Sequence, residues 1–278
     1  MIQIATDTIA DLPVELVNQH KIHIIPAWVY LKTGKVRTDA VDTQALYDLL
    51  ADEPEVPRTE PLSVEEYSDF FTPLIANEDR LIVVSASSGI SRVFEIAGQA
   101  AQQVAPERVR VHDSGGISLW QGFQALRAAQ MAEAGQDEIV ILGTLERMRK
   151  QSHFYCLLDN LSYLHRGGRV NLAQYMLGLM LDLKPILMLK EGLLVPGGRV
   201  RGRERATIDM QMRVLEDIKG LLTVWVGVVH TKVPDLGQRL CSQMQNTLRP
   251  AYSLVVDAGP TISAHAGPGA VGVVVCPI

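Results

Sequence analysis

Serine hydroxyls crowd one short segment, Ser85-Ala-Ser-Ser-Gly-Ile-Ser91, between an apolar run and a predicted helix. Free backbone N–H groups and the positive dipole end favour an anion at the start of a helix, and hydroxyls add further donors. The segment therefore predicts a site for a carboxylate or a phosphate. The alternative interpretation is that one of these serines only caps the helix.

Two further residues could bring polar groups to the same site. Thr59 lies in an extended segment that ends at a predicted helix cap, Ser63. Ser63 and Glu66, three residues later, have the spacing of a capping box. Arg169 follows a glycine pair, a normal way to end a helix, where basic residues are favourable on dipole grounds alone. Both residues are also open to a purely structural interpretation.

Residues 258–269 are rich in glycine and proline and carry one histidine, His265, just before the last strand. This composition predicts a loop that brings backbone close to another segment or to a ligand. A lone histidine in a loop is as often a polar surface residue, so ligand contact and surface exposure stay equal alternatives here.

Four arginines alternate along the segment Gly197-Gly-Arg-Val-Arg-Gly-Arg-Glu-Arg205. In an extended chain alternate residues share one face. Such a face is either simply solvated or suited to an acidic partner or a phosphorylated ligand.

The elements that must position these residues follow from the apolar pattern. In the first half, short apolar runs alternate with helical periodicity, which predicts a mostly parallel sheet covered by helices. Polar turns follow the strands 81–84 and 109–111, at the carboxyl strand ends where such sheets bind small molecules. A hairpin around Glu191-Gly192 predicts antiparallel strands in the second half. We expect two α/β domains, 1–150 and 151–278, with segment 22–38 as a candidate to pack on the second.

Composition and charge exclude several classes of protein. A net charge of -5 and a pI near 5.8 argue against a nucleic-acid surface, which needs clustered basic residues. Three widely spaced cysteines fit neither a disulfide framework nor a zinc motif. The run 175–189 is interrupted by Asp182, Lys184 and Pro185, so it predicts a buried helix and strand rather than a membrane span. With no signal-peptide pattern at the N-terminus, we expect a soluble cytoplasmic protein.

In this order, the segments resemble the DegV family of fatty-acid-binding proteins along nearly the whole chain. The matching segments are Ile4 to Asp7, Ala10 to Pro13, Thr59 to Ser63, Ser87 to Ser91, Asp113-Ser114, Asp159 to Arg169, Lys184 to Leu187 and Ser263 to Ala270.

The resemblance implies a two-domain α/β protein that holds a long-chain fatty acid in a tunnel between its domains and is not itself an enzyme. A separate, dihydroxyacetone-kinase-like fatty acid kinase would convert the bound acid to an acyl phosphate for phospholipid metabolism, and no cofactor or metal is implied. The residues implied to hold the carboxylate are Thr59, Ser88, Gly89 and Ser91. The polar network around it would be Arg169, His265 and Gly267. The candidate docking residues are Arg199, Arg201 and Arg203.

Two positions depart from the family's usual pattern. Glu60 follows Thr59, where a carboxylate would repel an acidic ligand if it faced inward, although alternation predicts that it faces away. Arg92 follows Ser91 and would either compensate this charge or face solvent.

Two other functions remain open at this point. A serine hydrolase would use Ser88 or Ser91 with His265, but the sequence lacks the G-x-S-x-G elbow and an evident acidic residue to orient the histidine. A regulatory module for a phosphometabolite would use the same helix start, with arginines as clamps.

Overall fold

The computed structural model describes residues 1–32, 34–52, 57–159, 161–170, 183–221 and 223–278. Their strands form three sheets. The helix predicted from Tyr175 lies outside these residues, and so does part of the proline-rich connection before Thr59. The α/β class predicted from the sequence is confirmed.

The first sheet is parallel and has the strand order β2-β1-β6-β7. Its strands are β1 (Ile2–Asp7), β2 (His23–Ile25), β6 (Arg80–Ser85) and β7 (Val109–Asp113). The helices of this half are α1 (Val14–Gln19), α2 (Thr43–Asp52), α3 (Val64–Leu74), α4 (Val93–Val104), α5 (Leu119–Glu133) and α6 (Glu138–Gln151). Helix α3 begins with the predicted capping box of Ser63 and Glu66.

The second sheet is mixed and has the order β10-β9-β8-β13-β11-β12. Its strands are β8 (His153–Leu157), β9 (Leu183–Lys190), β10 (Leu193–Arg201), β11 (Val224–His230), β12 (Tyr252–Asp257) and β13 (Val271–Pro277). The predicted hairpin at Glu191-Gly192 is confirmed, because β9 and β10 pair antiparallel and both turn residues have positive φ. The remaining helices are α7 (Ser162–Arg166), α8 (Arg203–Asp217), α9 (Pro234–Leu248) and α10 (Pro260–Ala266).

The third sheet is small and antiparallel, in the order β4-β3-β5. Its strands are β3 (Trp28–Leu31), β4 (Gly34–Arg37) and β5 (Arg58–Glu60). The extended run predicted from Ile22 to Leu31 is therefore two strands in two sheets. It breaks at Pro26-Ala27, because proline has no backbone N–H to donate to a ladder.

Helix α5 connects the first two sheets, since it packs against β1 and β6 on one side and β11 and β13 on the other. Its approach to β11 is close: a Cβ added at Gly227 would lie 2.6 Å from a methyl carbon of Leu119. The ring of Phe123 meets that of Trp225 edge to face, with centroids 5.5 Å apart. One continuous apolar core consequently spans both halves of the chain.

The loop predicted for residues 258–269 is wrong over most of its length, because Pro260 to Ala266 form α10. Proline at the first helical position lacks only an N–H that has no intrahelical partner there. Gly267, at φ +68, ends the helix in a conformation that glycine adopts without strain. The same glycines and proline that indicated a loop thus mark the two ends of a short helix.

Candidate functional site

A cavity of about 720 Å³ lies between the two halves of the chain. Much of its wall is apolar, formed by side chains that include Ile96, Ile117, Phe154, Leu158, Leu194 and Val271. Polar residues also line it, among them Thr59, Ser88, Gly89, Ser91, Arg169 and His265. The structure therefore brings six of the seven predicted head-group residues to one cavity.

Thr59 and His265 are in direct contact in the wall of this cavity. Thr59 lies on β5 and His265 on α10, and Oγ1 of Thr59 is 2.8 Å from Nε2 of His265. Both residues are buried. Burial, followed by the nearby Arg169 guanidinium, lowers the pKa of His265 to about 3, so its ring is neutral at physiological pH.

The other ring nitrogen of His265, Nδ1, has no hydrogen-bond partner among the described residues. It faces the backbone of Gly167, where an added Cβ would lie only 2.3 Å from it. An N–H at Nδ1 would have no acceptor, so we assign the proton to Nε2. In this tautomer His265 donates to Thr59, and the hydroxyl hydrogen of Thr59 can be donated to a ligand.

The serine turn uses most of its hydroxyls within the protein. Ser87 donates to the backbone oxygen of Gly192 at 2.6 Å, and Ser88 donates to Oδ2 of Asp113 at 2.6 Å. Ser91 accepts a long bond of 3.4 Å from the Val93 N–H, which leaves its own hydrogen for another acceptor. The residue before α4, Arg92, makes no side-chain capping bond. The capping interpretation is therefore limited to the long bond that Ser91 accepts from Val93, the first residue of α4.

Two glycines of the predicted site shape its walls. A Cβ at Gly89 would lie 2.7 Å from the Gly192 oxygen, so the serine turn packs directly on the β9–β10 hairpin. A Cβ at Gly267 would lie 2.2 Å from the Tyr163 ring. The Gly267 oxygen accepts a 2.6 Å bond from the hydroxyl of Thr231. Gly267 thus acts through packing and lies beside the cavity rather than in its lining.

Arg169 is half-buried and lines the cavity. Its guanidinium donates to the backbone oxygen of Gly167, and burial lowers its pKa. The charge is near enough to His265 to oppose protonation of that ring. Arg169 therefore supplies positive potential beside the Thr59–His265 pair.

The arginine strip is only partly continuous. Arg199 and Arg201 lie two residues apart on β10, are exposed and share a face. Strand β10 ends at Arg201, and Arg203 is the first residue of α8. There it donates to Oδ1 of Asp159 at 2.8 Å and to the backbone oxygen of Gly269, so it joins two segments of its own chain.

Glu60 and Arg92, which depart from the family's usual pattern, both pair with oppositely charged side chains of this chain. The Tyr30 hydroxyl donates to Oε2 of Glu60 at 2.6 Å, and Arg58 also pairs with Glu60. Arg92 pairs with Glu95 on the first turn of α4, at 3.2 Å. Glu60 and Arg92 also line the cavity, and the Glu60 carboxylate is compensated there by Tyr30 and Arg58.

Sequence reasoning did not single out several residues of the cavity wall, among them Thr261 and Cys156. Thr261 lies on the unexpected helix α10, one turn before His265. Cys156 lies on β8 between Phe154 and Leu158, and burial raises the pKa of its thiol to about 12. The period of two in Phe154, Cys156 and Leu158 was the available signal for a shared face.

The described residues include no group of three or more histidine, cysteine or acidic side chains placed to hold a metal ion. Among the same residues, no helix combines the length and the apolar character needed to cross a membrane.

The sequence and the fold match known proteins over their full length. The family model described as "Uncharacterised protein, DegV family" matches residues 1–277. The protein DegV of Bacillus subtilis is 30% identical over 277 residues, covering 99% of each chain. Its crystal structure, described as that of a fatty acid binding protein, has a TM-score of 0.88 at 29% identity and covers 100% of this chain and 99% of that one. A DegV family protein from Thermus thermophilus, described with fatty acid binding, has a TM-score of 0.94 at 28% identity, with the same coverage.

Proposed function

We propose, since the chain belongs to the DegV family, that it binds one long-chain fatty acid in the cavity between its two halves. The observation that carries the proposal is the Thr59–His265 pair, which places a hydroxyl donor in the wall of a largely apolar cavity. The relatives from Thermus thermophilus and Bacillus subtilis, described as fatty acid binding, support it.

The carboxylate would lie against Thr59 and Ser91. A buried carboxylate loses several kcal/mol of hydration unless charge-assisted hydrogen bonds replace it. Thr59 can donate because His265 donates to it, and the Ser91 hydrogen is not used within the described residues. The positive charge of Arg169 would lower the free energy of the anion further.

Ser88 and Gly89 would act by shaping this site. The Ser88 hydrogen goes to Asp113, so the hydroxyl holds the turn rather than the ligand. Gly89 lets the turn pack on the β9–β10 hairpin. Gly267 and the Gly167 backbone would similarly keep Tyr163 and His265 in place.

Most of the affinity would come from the acyl tail. Burying one methylene contributes roughly 0.8 kcal/mol, so about 15 of them supply on the order of 12 kcal/mol. Association costs at least about 4 kcal/mol of this. The polar groups at Thr59 would then act mainly on the position and reactivity of the carboxyl group.

We further propose that the chain presents this carboxylate to a separate fatty acid kinase, which makes an acyl phosphate for phospholipid metabolism in the cytoplasm. The exposed basic face of Arg199 and Arg201, with Arg203 at its end, is the candidate docking surface. The chain itself would be a carrier without a cofactor.

The hydrolase alternative loses its support in the geometry. Ser88 donates to Asp113, and His265 bonds to Thr59 instead of a serine. The Nδ1 atom of His265 has no acidic partner among the described residues, whereas a triad needs one to orient the base. A ring with a pKa of about 3 is also a weak base.

Denaturing mass spectrometry of freshly purified protein tests the binding proposal. A co-purified long-chain fatty acid, at about one per chain and replaceable by added palmitate, is the expected result. A bound phosphometabolite, or an emptied protein that rejects every fatty acid offered, would refute it.

The kinase proposal is tested by charge reversal at Arg199→Glu with Arg201→Glu. We expect fatty acid retention to stay normal and acyl phosphate formation by the purified kinase to fall. Lys150→Glu with Lys219→Glu makes the same change of charge at two exposed lysines, one on α6 and one in the turn after α8, and is the matched control. Equal kinase activity with both double variants would remove the basic face from the proposal.

A further inference from the structure

One hydroxyl in the cavity wall has no hydrogen-bond partner in the part of the chain that the structure describes. Thr261 is buried, at 6% exposure, and lines the cavity, yet its Oγ1 makes no hydrogen bond within the described residues. Buried hydroxyls are nearly always bonded, because an unmade bond leaves the desolvation of the group uncompensated. Some group outside the described protein atoms is therefore expected to meet this oxygen.

Thr261 has a defined position relative to the head-group contact. It precedes His265 by four residues on α10, so the two side chains lie on the same face of the helix. One helical turn separates them, about 6 Å along the helix axis. A ligand whose carboxylate reaches Thr59 would place an early part of its chain near Thr261.

A second hydroxyl of the cavity wall is tied to the same segment. Ser118 lines the cavity and donates to Oδ2 of Asp11 at 2.6 Å. The other oxygen of Asp11 accepts from the N–H of Gly259 at 2.8 Å, two residues before Thr261. Ser118 can therefore only accept a further hydrogen bond, whereas Thr261 can donate one. Both hydroxyls line the same cavity.

A plain acyl chain offers only methylene groups to these two hydroxyls. A hydroxyl or keto oxygen on the chain would accept from Thr261, and a hydroxyl could also donate. We propose that Thr261 binds an oxygen substituent near the carboxyl end of the acyl chain, so that the cavity prefers oxygenated fatty acids to plain ones. This inference rests on the proposed function and narrows its ligand class.

Competition binding to the delipidated full chain tests the inference, with palmitate, β-hydroxypalmitate and ω-hydroxypalmitate as probes. One buried hydrogen bond is expected to favour β-hydroxypalmitate over palmitate by about 3- to 10-fold. Thr261→Val, which keeps the shape and removes the hydroxyl, should abolish this preference. Thr261→Ser should retain it, and ω-hydroxypalmitate should gain nothing.

Thr207→Val is the matched control, since Thr207 is a buried helical threonine of α8 whose hydroxyl bonds to the Arg203 oxygen. It should keep the wild-type preference. Equal binding of palmitate and β-hydroxypalmitate by the wild type would overturn the inference, as would a preference that survives Thr261→Val. Failure of all three acids to bind would instead refute the proposed function.

Discussion

Nε2 of His265 lies 2.8 Å from Oγ1 of Thr59, although 206 residues separate the two along the chain. The contact joins the small sheet to α10 at the cavity. Because the ring is neutral, it cannot neutralise an anion and acts by directing the Thr59 hydroxyl. An anion at this site would thus be favoured by the direction of the His265–Thr59 hydrogen bond as well as by the positive charge of Arg169.

Thr59→Val should weaken fatty acid binding by about 10- to 100-fold, because a hydrogen bond to a charged group contributes about 1.5–3 kcal/mol. The dissociation constant of palmitate is the measurement. The free energy of unfolding should fall as well, by about 1–3 kcal/mol, because the buried Nε2–H of His265 loses its acceptor. Thr144→Val is the control, since Thr144 is a buried threonine of α6. Equal affinities for both variants would remove Thr59 from the site.

Gly167→Ala should weaken binding by displacing His265, because the new Cβ would lie 2.3 Å from Nδ1. Gly167→Ala should weaken binding less when it is made in the His265→Ala variant, where the ring is absent. Such non-additive losses would show that the glycine acts through its contact with His265. Gly98→Ala in α4 is the control, since nothing lies within 4 Å of its added Cβ. Additive losses from Gly167→Ala and His265→Ala would show that the glycine acts in another way.

The buried His265 should make folding sensitive to acid. Its folded pKa of about 3 is below the ordinary histidine value of 6.5, so the unfolded chain binds the proton more tightly. The unfolding free energy should be highest above pH 6.5 and fall towards pH 3, by up to about 1.4 kcal/mol per pH unit from this residue. Denaturant unfolding of His265→Gln should lack this component. Parallel pH profiles for the two proteins would contradict the prediction.

Asp11 should make the free energy of unfolding fall as the pH rises, opposite to the effect of His265. Burial, opposed by bonds from Ser118 and Gly259, raises its pKa from 3.8 to about 7, with Asp257 and Asp7 as nearby like charges. Here the folded protein binds the proton more tightly. The contribution of Asp11 to the free energy of unfolding is therefore fully present below pH 3.8, and it is lost as the pH rises to about 7.

Asp11→Asn should lack this pH-dependent loss of unfolding free energy, because asparagine does not titrate. The stability of the variant relative to the wild type should therefore increase from pH 5 to pH 8. Urea unfolding at the two pH values measures the difference. Asp137→Asn, at an exposed aspartate before α6, should follow the wild type. An unchanged gap between Asp11→Asn and wild type at both pH values would mean that Asp11 does not titrate in this range.

Part of this protein could be read directly from its sequence. The alternation of strands and helices, the capping box at Ser63 and the hairpin at Glu191-Gly192 are local signals, and all are confirmed. The α10 helix was missed although its end signals were present, because proline and glycine mark helix ends and loops alike.

The sequence by itself determined the fold class and the family, and it named several of the polar residues that meet at the cavity. Only the tertiary structure decided what each hydroxyl does: Ser88 donates to Asp113, Thr59 meets His265, and Thr261 finds no partner among the described residues. The physical reason is that secondary structure depends on neighbours along the chain. The partner of a side-chain hydrogen depends on which distant segments the core brings together.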